Sequence, residues 1–319
     1  MRLAVTRRPN LFLIGAPKSG TTSLYEYLNG HPDVYMAPVK EPFYFSPDIR
    51  GGPRENYRYP DDEERYLALY TDARDEAWLG EASTRYIYSR RAPELVKAFS
   101  PDARIVAMLR NPIDMIQAMH NERVSQGEED VPDFEAALAL DEERLTGKHL
   151  PGGSNELGAT YRPRARFGEQ LERWLSAFER DRVHVIIFEE FARDTAGAFR
   201  GVLEFLGVDP DYQPASFAVH NPSHRPRRGL VRRLVASPFG QAAAHRILPA
   251  LLGANRTARL VRRYRHSRFN RQPNPRPALR PELRDQLAAE LAPDVALLGR
   301  LIGRDMNAFW FGQPPGQAL

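Results

Sequence analysis

Short apolar runs bounded by turn residues alternate with helical patterns along most of this chain, the order expected of an α/β fold around a parallel sheet. Three runs predict strands: 11–15, 104–109 and 183–188, each short and rich in β-branched or aromatic residues. A helical pattern over 21–29 follows the first. After the second, Asn111 and Pro112 offer a cap and a first-turn proline for a helix through about residue 124. Before the third, Phe167, Leu171, Trp174, Leu175 and Phe178 share one face of an amphipathic helix, a core element. Leu283, Leu287, Leu291, Val295, Leu298 and Ile302 step at three or four residues and predict a closing helix over about 280–302 that packs back onto the sheet. The stretches 48–60 and 147–155 read as loops, and no internal repeat is visible.

Composition narrows the class. With 319 residues, 42% hydrophobic and 27% charged, the chain is globular and can bury a large core. It contains no cysteine, which excludes a disulfide scaffold, a thiolate metal site and a cysteine nucleophile, and points to a reducing, cytoplasmic setting. No run of about 18 apolar residues is present, so no transmembrane helix is expected. The apolar stretch 11–14 is too short for a signal peptide and reads as a buried strand. The formal charge of +4 conceals an uneven distribution: fifteen arginines and no acidic residue lie between Asn221 and Arg280, leaving −11 for the remainder.

The strongest chemical signal is LFLIGAPKSGTTSL, residues 11–24. A strand runs into Gly15, Pro17, Lys18, Ser19 and Gly20, and a helix opens with Thr21, Thr22 and Ser23. Small residues let backbone N–H groups approach an anion, the helix N-terminus adds partial positive charge, and hydroxyls add donors, so the loop suits a phosphate or sulfate group. The same hydroxyls also serve simply as helix caps. It is not a Walker A loop: Gly15 and Gly20 have that spacing, but Thr21 stands where the lysine belongs. Lysine is rare here, four against 41 arginines, so a lysine in this loop favours a compact point charge over a guanidinium fork.

PKSGTTSL resembles the 5′-phosphosulfate loop of sulfotransferases that use 3′-phosphoadenosine 5′-phosphosulfate (PAPS). RIVAMLRNPIDMIQAMH, residues 104–120, is similar to the family's 3′-phosphate segment, a strand with an arginine at its carboxyl end and then a helix. The resemblance implies that Arg110 grips the 3′-phosphate through bidentate donors. It also implies a serine eight residues later, where this chain has Ala118, and an arginine of the basic segment, Arg225, Arg227 or Arg228, is the candidate replacement. KEPFYF, residues 40–45, resembles the segment whose glutamate is the usual base in the bacterial and heparan-sulfate-type branches, so Glu41 is the candidate base. His120 is the alternative base, or a packed core histidine. GEASTRYIYS, residues 80–89, resembles a family segment in which lysine follows the glutamate; Ala82 stands here. Phe188 matches a position where the family places an aromatic near the adenine, and core alternation accounts for it equally.

The resemblance implies a three-layer, P-loop-like α/β fold forming one sulfotransferase domain over 1–319, with a core of about 9–210, a basic segment of about 221–280 and the closing helix. It implies transfer of a sulfuryl group from PAPS to a hydroxyl of a carbohydrate, lipid or secondary metabolite, without a metal. His220 and His224, with Pro222 between them and no carboxylate beside them, do not make a metal site. The basic segment has four readings: a solvated arginine face, a 3′-phosphate grip, a surface for an acidic acceptor, or a basic amphipathic stretch on a membrane. No nucleic-acid reading motif accompanies it. Two other classes stay open at this point: a kinase using Glu189 of VIIFEE as a Walker-B-like carboxylate, and a non-enzymatic anion- or membrane-binding module.

Overall fold

The computed structural model describes residues 7–49, 60, 62–151, 154–218 and 278–312, with the backbone alone at 224–226 and 271–273. The chain begins with β1 (Leu11–Gly15), α1 (Thr21–Leu28), β2 (Val34–Met36), α2 (Glu63–Leu67), β3 (Trp78–Ala82) and α3 (Ala92–Phe99). There follow β4 (Arg104–Leu109) and α4 (Pro112–Gln126), then the short helices α5 (Phe134–Ala139), α6 (Asp141–Leu145), α7 (Glu156–Ala159) and α8 (Arg162–Ala165). After them come α9 (Phe167–Ala177), β5 (Val183–Ile187), α10 (Phe188–Arg193) and α11 (Thr195–Leu206). A two-stranded antiparallel pair, β6 (His224–Pro226) with β7 (Arg271–Pro273), precedes the closing helices α12 (Pro281–Ile302) and α13 (Met306–Phe311).

Among the described residues one five-stranded parallel sheet has the order β2-β3-β1-β4-β5. Its central strand is apolar throughout because both faces are covered. Phe12 and Ile14 enter the core layer shared with α3, α4, α9 and α12, while Leu11 and Leu13 enter the layer shared with α1 and α11. After β1 the chain moves to β2 on one side, and after β4 to β5 on the other. The crevice beyond the carboxyl ends of β1 and β4 is therefore a topological switch point, the place where such sheets take ligands.

The closing helix joins this core through the predicted apolar stripe: Leu287, Val295 and Leu298 are fully buried, each contributing about 1.5–3 kcal/mol by its removal from water. Asp294 on α12 accepts from the N–H groups of Gly168 (2.8 Å) and Glu169 (2.9 Å), capping the start of α9 from outside. Gly168 is required there, since a Cβ would lie 2.3 Å from the Asp294 carbonyl oxygen.

Three differences from the sequence reading have physical causes. The strand expected to include Phe188 stops at Ile187, because Phe188 opens α10, whose first turn carries Glu189 and Glu190. Strands β2 and β3 carried no recognised pattern: β2 has three residues, and β3 contains Gly80 and Glu81, the glycine making room for Met36 and the acid fully buried. A short 3₁₀ turn, Pro47–Ile49, lies at the start of the expected 48–60 loop. Most of the arginine-rich stretch lies outside the described residues.

Candidate functional site

The loop between β1 and α1 is shaped by backbone demands that few residues meet. Gly20 sits at φ 87°, and a Cβ on it would approach the Phe188 ring at 3.2 Å and the Met108 methyl at 3.3 Å. Lys18 also lies in the left-handed region, at φ 60°, a conformation costing about 1–2 kcal/mol for a residue with a side chain. Arg110 helps to hold it, donating from Nη1 to the Lys18 carbonyl at 3.0 Å. Gly20 is the N-cap of α1 and offers no side-chain cap, so the first N–H groups of α1 open onto the crevice as an anion cradle. Ser19 is fully buried and donates to the Pro17 carbonyl at 3.3 Å, Thr21 and Ser23 are buried in the first turn, and Thr22 is half-buried.

Three strand ends converge here. Arg110 follows β4, and its guanidinium lies 4.7 Å from the centroid of the Phe188 ring, which follows β5. With Lys18 after β1, the structure thus brings together three residues far apart in sequence. Ala118 is buried on α4 and supplies no hydroxyl. His120, also buried on α4, has Nε2 2.9 Å from the Val131 carbonyl and packs its ring on Phe134 and Tyr161. Burial pushes that imidazole below its ordinary value.

Glu41 lies on the loop after β2, its N–H donating to the Ala82 carbonyl at the end of β3 (2.9 Å) and its φ left-handed at 64°. Both carboxylate oxygens accept from Thr84 Oγ1, at 3.1 and 3.2 Å. Burial raises the Glu41 pKa, opposed by the positive charges of Lys40 and Arg85 and the Thr84 hydrogen bond. Its charged neighbours include Glu122 on α4, whose Oε1 accepts from Lys18 Nζ at 2.9 Å, so the loop lysine already rests on an anionic oxygen. Lys40 donates from Nζ to Thr22 Oγ1 at 2.7 Å. Burial lowers the Lys40 pKa against the attraction of Glu41, Glu26 and Glu122.

Behind this cluster lies a second carboxyl group, Glu81, wholly buried at the end of β3. Its Oε1 accepts from the hydroxyls of Tyr66 and Tyr86, both at 2.9 Å, and its Oε2 from Ser83 Oγ at 3.0 Å. These hydroxyls accept in turn: Tyr86 from the N–H of Phe45 (3.1 Å) and Ser83 from the N–H of Phe43 (3.2 Å). The loop carrying Glu41 is therefore suspended from Glu81 through two hydroxyls. Burial pushes the Glu81 carboxyl up to about 7.

Sequence reasoning found Lys18, Arg110, Phe188 and Glu41 but assigned nothing to Lys40, Glu81, Thr84 or Glu122. The scarcity of lysine was a signal for Lys40, since two of the chain's four lysines meet at this loop. Glu122 carried none, because its partner lies 104 residues away. Glu189 does not stand as a metal-type carboxylate: its oxygens accept from the Asn111 N–H (2.9 Å) and the Trp310 indole (3.2 Å), tying α10, α4 and α13 together. Of the arginines expected at a 3′-phosphate, Arg225 has only its backbone described, in β6, which lies against α4. Arg227, Arg228 and the side chains of His220 and His224 lie outside the described residues. No described helix is long and apolar enough to cross a membrane.

The model of the Sulfotransferase family matches residues 9–213. The mouse heparan sulfate glucosamine 3-O-sulfotransferase 3B1 is 27% identical over 204 residues, spanning 63% of this chain and 46% of that protein. Human carbohydrate sulfotransferase 15 is 25% identical over 279 residues, 71% of this chain and 48% of that protein. The chain thus spans about half the length of the curated relatives it matches. The crystal structure of a sulfotransferase from Alicyclobacillus acidocaldarius superposes with a TM-score of 0.71 at 30% identity, covering 95% of this chain and 99% of that one.

Proposed function

Since the chain belongs to the sulfotransferase family, we propose that it transfers a sulfuryl group from PAPS to a hydroxyl acceptor, with a carbohydrate hydroxyl favoured over a lipid or secondary metabolite. The acceptor class rests on relatives whose names specify heparan sulfate and carbohydrate. The observation that carries the reading is the meeting of Lys18, Arg110 and Phe188 at the switch point, with Glu41 in the same cluster of charges. Absence of cysteine suits a reducing, cytoplasmic setting.

The residues fit a phosphosulfate. The α1 N-terminus is uncapped, Gly20 leaves no room for a Cβ, and the Lys18 ammonium already pairs with the carboxylate oxygen of Glu122. Lys18, the first N–H groups of α1 and the hydroxyls of Thr22 and Ser23 would hold the 5′ end, while Arg110 would take the 3′-phosphate and Phe188 the adenine. The donor supplies a sulfuryl group on a phosphate leaving group. Glu41 accepts the acceptor's hydroxyl proton as the new O–S bond forms, and its raised pKa suits a base. Lys18 would stabilise the negative charge that the phosphate oxygen keeps, with the electron pair of the S–O bond, as the sulfuryl group leaves it for the acceptor oxygen. His120, bonded to Val131, is not needed as the base.

The test uses the desulfated nucleotide, 3′-phosphoadenosine 5′-phosphate (PAP). Millimolar PAP should raise the melting temperature, and Glu41→Gln should bind PAP like the native chain yet lose turnover. No stabilisation by PAP would overturn the donor assignment, and near-native turnover of Glu41→Gln would remove Glu41 as the base.

A further inference from the structure

We propose that Lys40 is a second cation of the donor site, one that acts on the 5′ end of the nucleotide by fixing the Thr22 hydroxyl as a donor. The inference rests on the donor assignment above. Lys40 Nζ donates to Thr22 Oγ1 at 2.7 Å, and an ammonium has no lone pair to offer in return. The Thr22 oxygen is therefore an acceptor in this bond, and its own O–H must point elsewhere. Thr22 is the second residue of α1, at the open N-terminus whose N–H groups face the crevice, so a group bound there receives that O–H together with the backbone donors.

The ammonium itself keeps two further N–H donors. It is half-buried, and among its charged neighbours are Lys18 as well as Glu41 and Glu122, which places it inside the cluster that surrounds the loop rather than on a solvated face. A second positive charge is useful there because Glu122 already neutralises Lys18 at 2.9 Å. An anion arriving at the loop meets one lysine in direct contact with a carboxylate oxygen and one whose ammonium donates to a hydroxyl. The choice of lysine agrees with this role: a chain that otherwise uses 41 arginines places two of its four lysines here, where a compact charge fits beside a single hydroxyl.

The experiment measures nucleotide affinity by calorimetry in the full chain, with two probes. PAP carries both phosphates; adenosine 3′-phosphate lacks the 5′-phosphate. Lys40→Met should weaken PAP about 10-fold, the scale of one hydrogen bond to a charged group, and leave adenosine 3′-phosphate unchanged. Thr22→Val should reproduce the loss, Thr22→Ser should restore affinity, and the Lys40→Met/Thr22→Val double variant should lose less than the product of the two single losses. Equal weakening of both probes would mark general damage and overturn the proposal, as would native PAP affinity in Lys40→Met. If the unaltered chain binds no PAP, the donor assignment itself falls; if it binds and Lys40→Met binds equally, only the role of Lys40 falls.

Discussion

Glu81 makes stability depend on pH with a sign opposite to the usual acid denaturation. Its carboxyl is fully buried and is pushed from an ordinary 4.5 to about 7, chiefly by burial, with hydrogen bonds from Tyr66, Tyr86 and Ser83 partly opposing the rise. Below 4.5 the native and unfolded chains both hold this proton. Between 4.5 and about 7 the unfolded chain has released it and the native chain has not, so raising the pH favours unfolding; above about 7 the loss is complete. The gap corresponds to about 3 kcal/mol, a large fraction of ordinary domain stability. Urea unfolding of the native sequence and of Glu81→Gln, repeated from pH 4.5 to pH 8, isolates the group because all other titrations are shared. The native sequence should lose about 3 kcal/mol relative to the variant across this range. A difference that stays constant with pH would refute the assignment of a buried, proton-holding carboxyl.

Three further substitutions probe the anion site. Glu122→Gln removes the counter-anion of Lys18; because a partly exposed pair is worth about 0.2–1 kcal/mol, PAP should bind up to about 5-fold more tightly in calorimetry, and weaker binding would show that Glu122 supports the lysine instead of competing with the ligand. Gly20→Ala places a Cβ against the Phe188 ring at φ 87°, and thermal unfolding should show a loss of about 1–2 kcal/mol, with native stability contradicting the tight packing of this turn. Arg110→Lys keeps the charge but loses the fork and the stacking on Phe188, so PAP affinity should fall about 10-fold while adenosine 5′-phosphate is little affected; equal loss for both would remove Arg110 from the 3′-phosphate.

What was legible in the sequence follows from how each feature is built. Strands β1, β4 and β5 are covered on both faces, so burial wrote continuous apolar runs such as Leu11–Ile14 and Ile105–Leu109. Strand β3 escaped because its buried positions include Glu81, a polar residue satisfied by the hydroxyls of Ser83 and Tyr86 just beyond the strand and of Tyr66 on α2. The anion loop was legible since its chemistry is local: glycines, a lysine and hydroxyls within one turn. The pairs Lys18–Glu122 and Lys40–Thr22 are tertiary, and no spacing rule encodes them. Phe188 was identified but placed on a strand, although the turn into α10 is what sets its ring beneath Arg110.

The central claim is that this loop activates PAPS for transfer to a hydroxyl. The most direct measurement is transfer of radiolabelled sulfate from PAPS to a panel of oligosaccharides, comparing the native chain with Lys18→Ala. The account predicts labelled product with the native chain and at least about 100-fold less with the variant, the scale of losing one donor to developing charge. Equal transfer by the two chains, or none by the native chain to any hydroxyl acceptor, would contradict it.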